Sequence, residues 1–241
     1  MVFTKIYVAP VILGIWFPLT FTTTYIVAVC THHVRPILPY ISDTGTWAPE
    51  SCIFGIMLTF GGFLTTIIVY VRYRQVRDIL EKFDFTPRTQ KVNEWTAYLG
   101  CIAAFGCIIV ADFQVTNVFS VHLIGAFLCF GLANVYQIIQ VIFSFKLYPK
   151  LGSRKVNIFR AVCVSLCAVS FSVCSVTGLI SLSYFSGDDI TKWKRQDGGY
   201  DFHVASAACE YLMSFFVIIF FVTFTGEFRS IQFEEPQMTT S

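Results

Sequence analysis

Charge is what this sequence has least of. Lys, Arg, Asp and Glu together make up 13% of its 241 residues, against the roughly 25% that a water-soluble domain carries. With 55% apolar residues and 26 Phe, the chain has more apolar surface than one water-facing core can cover. That excludes a soluble enzyme and a disordered chain. A net charge of +2 gives no footing for nucleic acid. No Asn-x-Ser/Thr sequon, Cys-x-x-Cys pair, HExxH motif, Gly-rich phosphate loop or G-x-S-x-G turn occurs. No catalytic residue, metal site or cofactor is therefore expected, and the solvent that fits this composition is a lipid bilayer.

What is present is a set of long apolar runs. A helix needs about 20 apolar residues to cross the hydrocarbon core. Six stretches free of Lys and Arg qualify, at about 8–30, 52–71, 95–111, 122–145, 161–185 and 203–225. None shows the period-two alternation of a barrel strand, so the expected fold is all-α, a polytopic six-helix bundle in one membrane domain. The first stretch is too long for a signal core and reads as a retained helix. Residues 226–241 read as a short polar tail. Thirteen of the 17 Lys and Arg residues fall on the side that holds both termini; Arg35, Lys192, Lys194 and Arg195 fall on the other. Positive residues collect on the cytosolic side, so both termini are expected there. The loop Lys146–Arg160, with five basic residues and no acidic one, suits anionic lipid.

Seven of the nine Cys lie inside spans, where they act as small packing residues. Cys30 and Cys52 flank the first outer loop, and a bridge between them is left open, because nothing in the sequence fixes their distance. On the fifth span, Cys163, Cys167, Ser170, Cys174, Thr177 and Ser181 recur at steps of four and three, a stripe that lets another backbone approach closely. A neighbouring helix of the same bundle is the favoured occupant; a homodimer is the alternative. Gly100, Ala104, Cys107 and Ala111 form a similar stripe on the third span.

Ionisable groups inside spans carry the functional signal, because each is costly there. Glu210 is the one formal charge well within a span, and His203 projects from nearly the same face about 10 Å closer to the outer surface. His122 opens the fourth span and Asp112 ends the third on that side. These four form a candidate polar cluster. A structural or gating role is favoured over metal binding, proton relay or lipid head-group hydrolysis.

The first outer loop is more distinctive than its length requires. Its core reads Pro39-Tyr40-Ile41-Ser42-Asp43-Thr44-Gly45, followed by Pro49-Glu50. Three prolines stiffen it, Asp43-Thr44-Gly45 reads as a turn with Gly at positive φ, and Tyr40 and Trp47 suit the head-group level. The expectation is a lid over the outer mouth, packed on His122 and His203. Together with Tyr70-Val-Arg-Tyr73, Val110-Ala-Asp-Phe-Gln114, His122-Leu-Ile-Gly-Ala126, His203-Val-Ala-Ser-Ala-Ala-Cys-Glu210 and Phe224-Thr-Gly-Glu-Phe-Arg-Ser230, this loop resembles the damage-regulated autophagy modulator (DRAM) family. That family sits within a wider Frag/DRAM/Sfk six-span group.

The resemblance implies a multi-pass lysosomal membrane protein that promotes autophagy, in some members alongside apoptosis. It would act without catalysis, through membrane or autophagy-related protein partners or lipids. Asp112 stands where the family pattern carries an uncharged amide, which makes Glu210 and His203 the stronger candidates. Other relatives act in lipid remodelling of GPI anchors or support phosphoinositide synthesis at the plasma membrane. They set one alternative, a lipid head-group enzyme or subunit with Golgi or plasma-membrane residence; the intramembrane Glu210 sets the other, a proton-coupled transporter or channel.

Overall fold

The structure, a computed structural model, describes residues 2–3 and 5–234. Its architecture is six long helices, each long and apolar enough to cross a membrane: α1 Val8–Cys30, α2 Glu50–Lys82, α3 Pro87–Asp112, α4 Phe119–Lys146, α5 Arg154–Tyr184 and α6 Tyr200–Phe228. Among the described residues, the one β pairing joins Val2–Phe3 to Phe233–Glu234, antiparallel. It brings residues 2–3 and 233–234 together at one end of the bundle, here called the termini end. The connections 31–49, 113–118 and 185–199 gather at the opposite end, the loop end.

Several helices run beyond their apolar windows. α2 continues to Lys82 as a 33-residue helix, and α3 starts at Pro87, whose missing N–H costs nothing in a first turn. Ser153 caps α5, its hydroxyl accepting the Val156 N–H at 3.3 Å. α6 breaks at Thr223–Phe224 and resumes for one turn, Thr225–Phe228, with Phe228 fully buried. The first residues of the expected tail are therefore packed on the bundle; residues 235–241 lie outside the described residues.

Helices adjacent in sequence pack side by side, and α1 closes the ring against α6. Small residues set the closest approaches. At Gly62 an added Cβ would lie 2.7 Å from Ile108 and 3.1 Å from the Ala104 carbonyl, and at Gly106 it would meet the Cys129 amide nitrogen at 2.5 Å. The stripe on α5 faces α6: Cys163, Cys167 and Ser170 are buried, and Ser206 donates to the Cys174 carbonyl at 2.8 Å. Ile15, Ile56, Phe105, Val169 and Leu179 project outward, the exposed apolar belt that a bilayer would cover.

α4 is not uniform. Between Phe127 and Leu132 its turns widen to a π-helix, a rare form that often marks a functional site. The widened turn sits where α4 passes a cavity shared with α5 and α6.

Candidate functional site

The loop end is sealed by the first connection, which folds inward. His33 Nδ1 lies 2.5 Å from Oε1 of Glu50, a fully buried residue opening α2. The Thr44 and Thr24 hydroxyls share a hydrogen bond of 3.0 Å. The Ile41 amide donates to Glu210 Oε2 at 2.6 Å, tying the loop to the middle of α6. Thr191 of the third connection donates its hydroxyl to the His33 carbonyl at 3.2 Å, joining the two loops.

Asp43, Thr44 and Gly45 form one buried 3-10 turn. Gly45 is not held at positive φ, as the turn chemistry suggested. The need for glycine comes from contact, since a Cβ there would lie 2.3 Å from the Phe54 ring. Of the loop motif, Pro39, Ile41 and Glu50 are also buried, Tyr40 and Ser42 are half-buried and Pro49 is exposed. Trp47 is exposed, as a head-group anchor would be, but Tyr40 turns inward. Its ring meets His203 edge-on at 4.9 Å, and Trp193 covers the other side of His203 at 4.4 Å. Trp193 in turn donates its indole N–H to the Gly198 carbonyl at 2.7 Å.

Beneath this roof lies a cavity of about 340 Å³ between α4, α5 and α6, roofed by Tyr40, Ser42 and Asp43 of the first connection and Ile190 and Trp193 of the third. Its walls are mostly apolar, with Phe119, Leu123 and Phe127 on α4, Phe171 and Leu179 on α5 and Met213 on α6. Leu123, Phe127, Ser175 and Leu179 also stand exposed on the outer face of the bundle. The cavity thus opens sideways between α4 and α5, toward the space that lipid would occupy.

Asp43, Glu210 and His122 bring polarity to the cavity. Asp43 is 3% exposed; its Oδ2 accepts the Tyr40 amide at 3.2 Å. Burial is the main cause that pushes the Asp43 carboxyl well above the ordinary carboxylate range, and the nearby charge of Glu210, then Asp189, adds to it. Burial also raises the Tyr40 phenol. His122 is 4% exposed, and its Nδ1 lies 2.7 Å from the Phe113 carbonyl. A carbonyl can only accept, so Nδ1 carries a proton, and in the neutral form of the ring Nε2 is an acceptor.

The expected cluster is therefore split. Glu210 and His122 share the cavity, while His203, also buried, braces Tyr40 from behind. Asp112 stands exposed at the end of α3, beside Gly55 of α2, and does not line the cavity. Cys30 and Cys52 are free, exposed thiols. Among the described residues, no three His, Cys, Asp or Glu side chains come together as a metal site. Sequence reasoning identified Asp43 as a turn residue and gave Trp193 no role. Neither their burial nor their place over a cavity follows from spacing, because the third connection has no periodic pattern to read.

Such a fold and site define a class: a polytopic six-helix membrane protein whose first loop seals the end of a cavity open to the bilayer. The particular family follows from comparison. Residues 5–231 match the family model described as Frag1/DRAM/Sfk1/Cwh43P N-terminal domain, and the chain belongs to that family. It is 38% identical over 225 residues to DNA damage-regulated autophagy modulator protein 2 of Bos taurus, covering 92% of this chain and 84% of that one. It is 37% identical over 223 residues to DNA damage-regulated autophagy modulator protein 1 of Homo sapiens, covering 92% and 90%. Similarity to Modulator of macroautophagy TMEM150B-B of Xenopus laevis is 32% over 155 residues, covering 64% and 63%. No solved structure matches.

Proposed function

We propose that this chain modulates autophagy from the lysosomal membrane, without catalysis and through protein or lipid partners, with both termini in the cytosol. The observation that carries the reading is the match, over 92% of the chain, to relatives named autophagy modulators rather than enzymes. The topology rests on the excess of Lys and Arg at the termini end. At the lysosome, that orientation would put the sealed loop end in an acidic lumen, where a carboxyl raised as Asp43 is takes up a proton more readily than an ordinary one.

The test is to delete the gene in a cell line and restore it with a small C-terminal tag. Residence is then scored against organelle markers, together with degradation of an autophagosome cargo reporter. Coincidence with lysosomal markers and a fall in reporter degradation on deletion, recovered on re-expression, are the expected results. Golgi or plasma-membrane residence would overturn the localisation, and unchanged reporter degradation would overturn the autophagy role.

A further inference from the structure

We infer that the cavity at the loop end is a binding site for a single membrane amphiphile, with its chain between α4 and α5 and a hydrogen-bond-donating head, ammonium or hydroxyl, under the first loop. The inference depends on the membrane character of the fold and not on the autophagy reading, so the two can fail separately.

Shape comes first. A volume of about 340 Å³ lies within the range of roughly 300–1,000 Å³ typical of ligand pockets. The side opening between Leu123 and Phe127 of α4 and Ser175 and Leu179 of α5 lies on the apolar outer face. An acyl or alkyl chain can enter there from the bilayer without crossing water. At the loop end the cavity is closed by the first connection, which Glu210, Thr24 and Thr191 hold down.

The polar groups then select the head. Glu210 uses Oε2 on the Ile41 amide and Asp43 uses Oδ2 on the Tyr40 amide, and the second oxygen of each accepts no hydrogen bond from the described residues. His122, more than nine-tenths buried and lining the same cavity, has its Nδ1–H committed to Phe113 and its Nε2 lone pair uncommitted. All three groups offer acceptors, drawn from three separate parts of the fold: the first loop, α4 and α6. Acceptors that face a mostly apolar cavity without a protein partner are costly, and a head rich in donors relieves that cost. A phosphate or sulfate head would instead bring further acceptors and negative charge to a cavity that no Lys or Arg lines.

The experiment uses the purified full chain in detergent micelles with three photoreactive long-chain probes: an alkyl primary amine, an alkyl polyol and an alkyl sulfate. Labelled residues are mapped by mass spectrometry. The expected result is labelling by the amine, the polyol or both, at cavity residues of α4 and α5 and displaced by excess unlabelled compound, with the sulfate excluded. An amine-only pattern assigns an ammonium head, and a polyol-only pattern assigns a hydroxyl head.

Glu210→Gln retains an acceptor for Ile41 but loses the charge, so labelling by the amine should fall at least about tenfold, the scale set by one hydrogen bond to a charged group. Ser175→Trp, an exposed position on the rim, should block every probe without touching the loop. Equal labelling by all three probes would overturn the proposal. So would labels scattered evenly over the outward faces of all helices, or labelling unchanged in both variants.

Discussion

The two ends of the bundle hold buried charge in opposite ways. At the termini end the space is filled. Arg72 of α2 and Arg160 of α5 are fully buried, and both reach Glu227 in the last turn of α6. Arg160 Nη1 donates to Glu227 Oε1 at 2.8 Å, and its Nε donates to the Thr223 hydroxyl at 2.7 Å. Arg72 adds Gln140 at 3.0 Å and the Ser144 hydroxyl at 3.2 Å. Both guanidinium carbons also lie 4.7 Å from the centre of the Phe224 ring, a cation–π contact that strengthens away from water. At the loop end, by contrast, the two carboxyl groups that line the cavity, Asp43 and Glu210, are held by backbone amides and leave open space beside them. Paired charges that fill their space read as a structural clasp. Acceptors facing a cavity read as a site.

That contrast can be broken from either side. The largest effect is expected from Glu227→Gln, which leaves two buried guanidiniums without a counter-charge. Breaking a buried pair from one side costs about 3–5 kcal/mol, so thermal unfolding in mild detergent should show severe loss of stability. Gly45→Ala comes next. Its methyl would run into Phe54, and overpacking of this kind costs about 1–3 kcal/mol. The double variant Gly45→Ala with Phe54→Leu should be more stable than the sum of the single changes allows, because the clash is shared.

Asp43→Asn sharpens the comparison through pH. A carboxyl whose folded pKa is raised binds its proton more tightly when folded. Its contribution to stability is present below the unfolded value of about 4 and is lost as pH rises through the folded one. The wild-type unfolding temperature should therefore drop relative to Asp43→Asn from about pH 4 upward, with the two proteins alike in more acid solution. The smallest effect belongs to Asp112→Asn. Its side chain is exposed and outside the cavity, so both unfolding and probe labelling should match the wild type.

The six helices were legible in the sequence because lipid imposes a simple demand, about 20 apolar residues with the backbone satisfied within the helix. Glu210, His203 and His122 stood out for the same reason, as polar residues in apolar runs. The clasp did not. Arg72 and Arg160 look like any other Lys or Arg flanking a span, and counting them toward membrane orientation concealed that both point inward. Glu227 looked like the start of a polar tail, because the break at Thr223–Phe224 hides the extra helical turn that carries it. The cavity itself comes from the spacing of α4 and α5, and helix spacing leaves no trace in periodicity. Of the loop, the sequence made the motif visible but not its direction: Tyr40 and Asp43 turn inward rather than toward water or head groups.

The most direct measurement sets Glu210→Gln beside Glu227→Gln in one detergent, following thermal unfolding and amine-probe labelling together. If one end is a site and the other a clasp, Glu210→Gln should unfold close to the wild type yet lose its labelling, and Glu227→Gln should lose its fold. A Glu210→Gln variant that unfolds as readily as Glu227→Gln, or one that unfolds normally and still takes up the probe as the wild type does, would contradict that division.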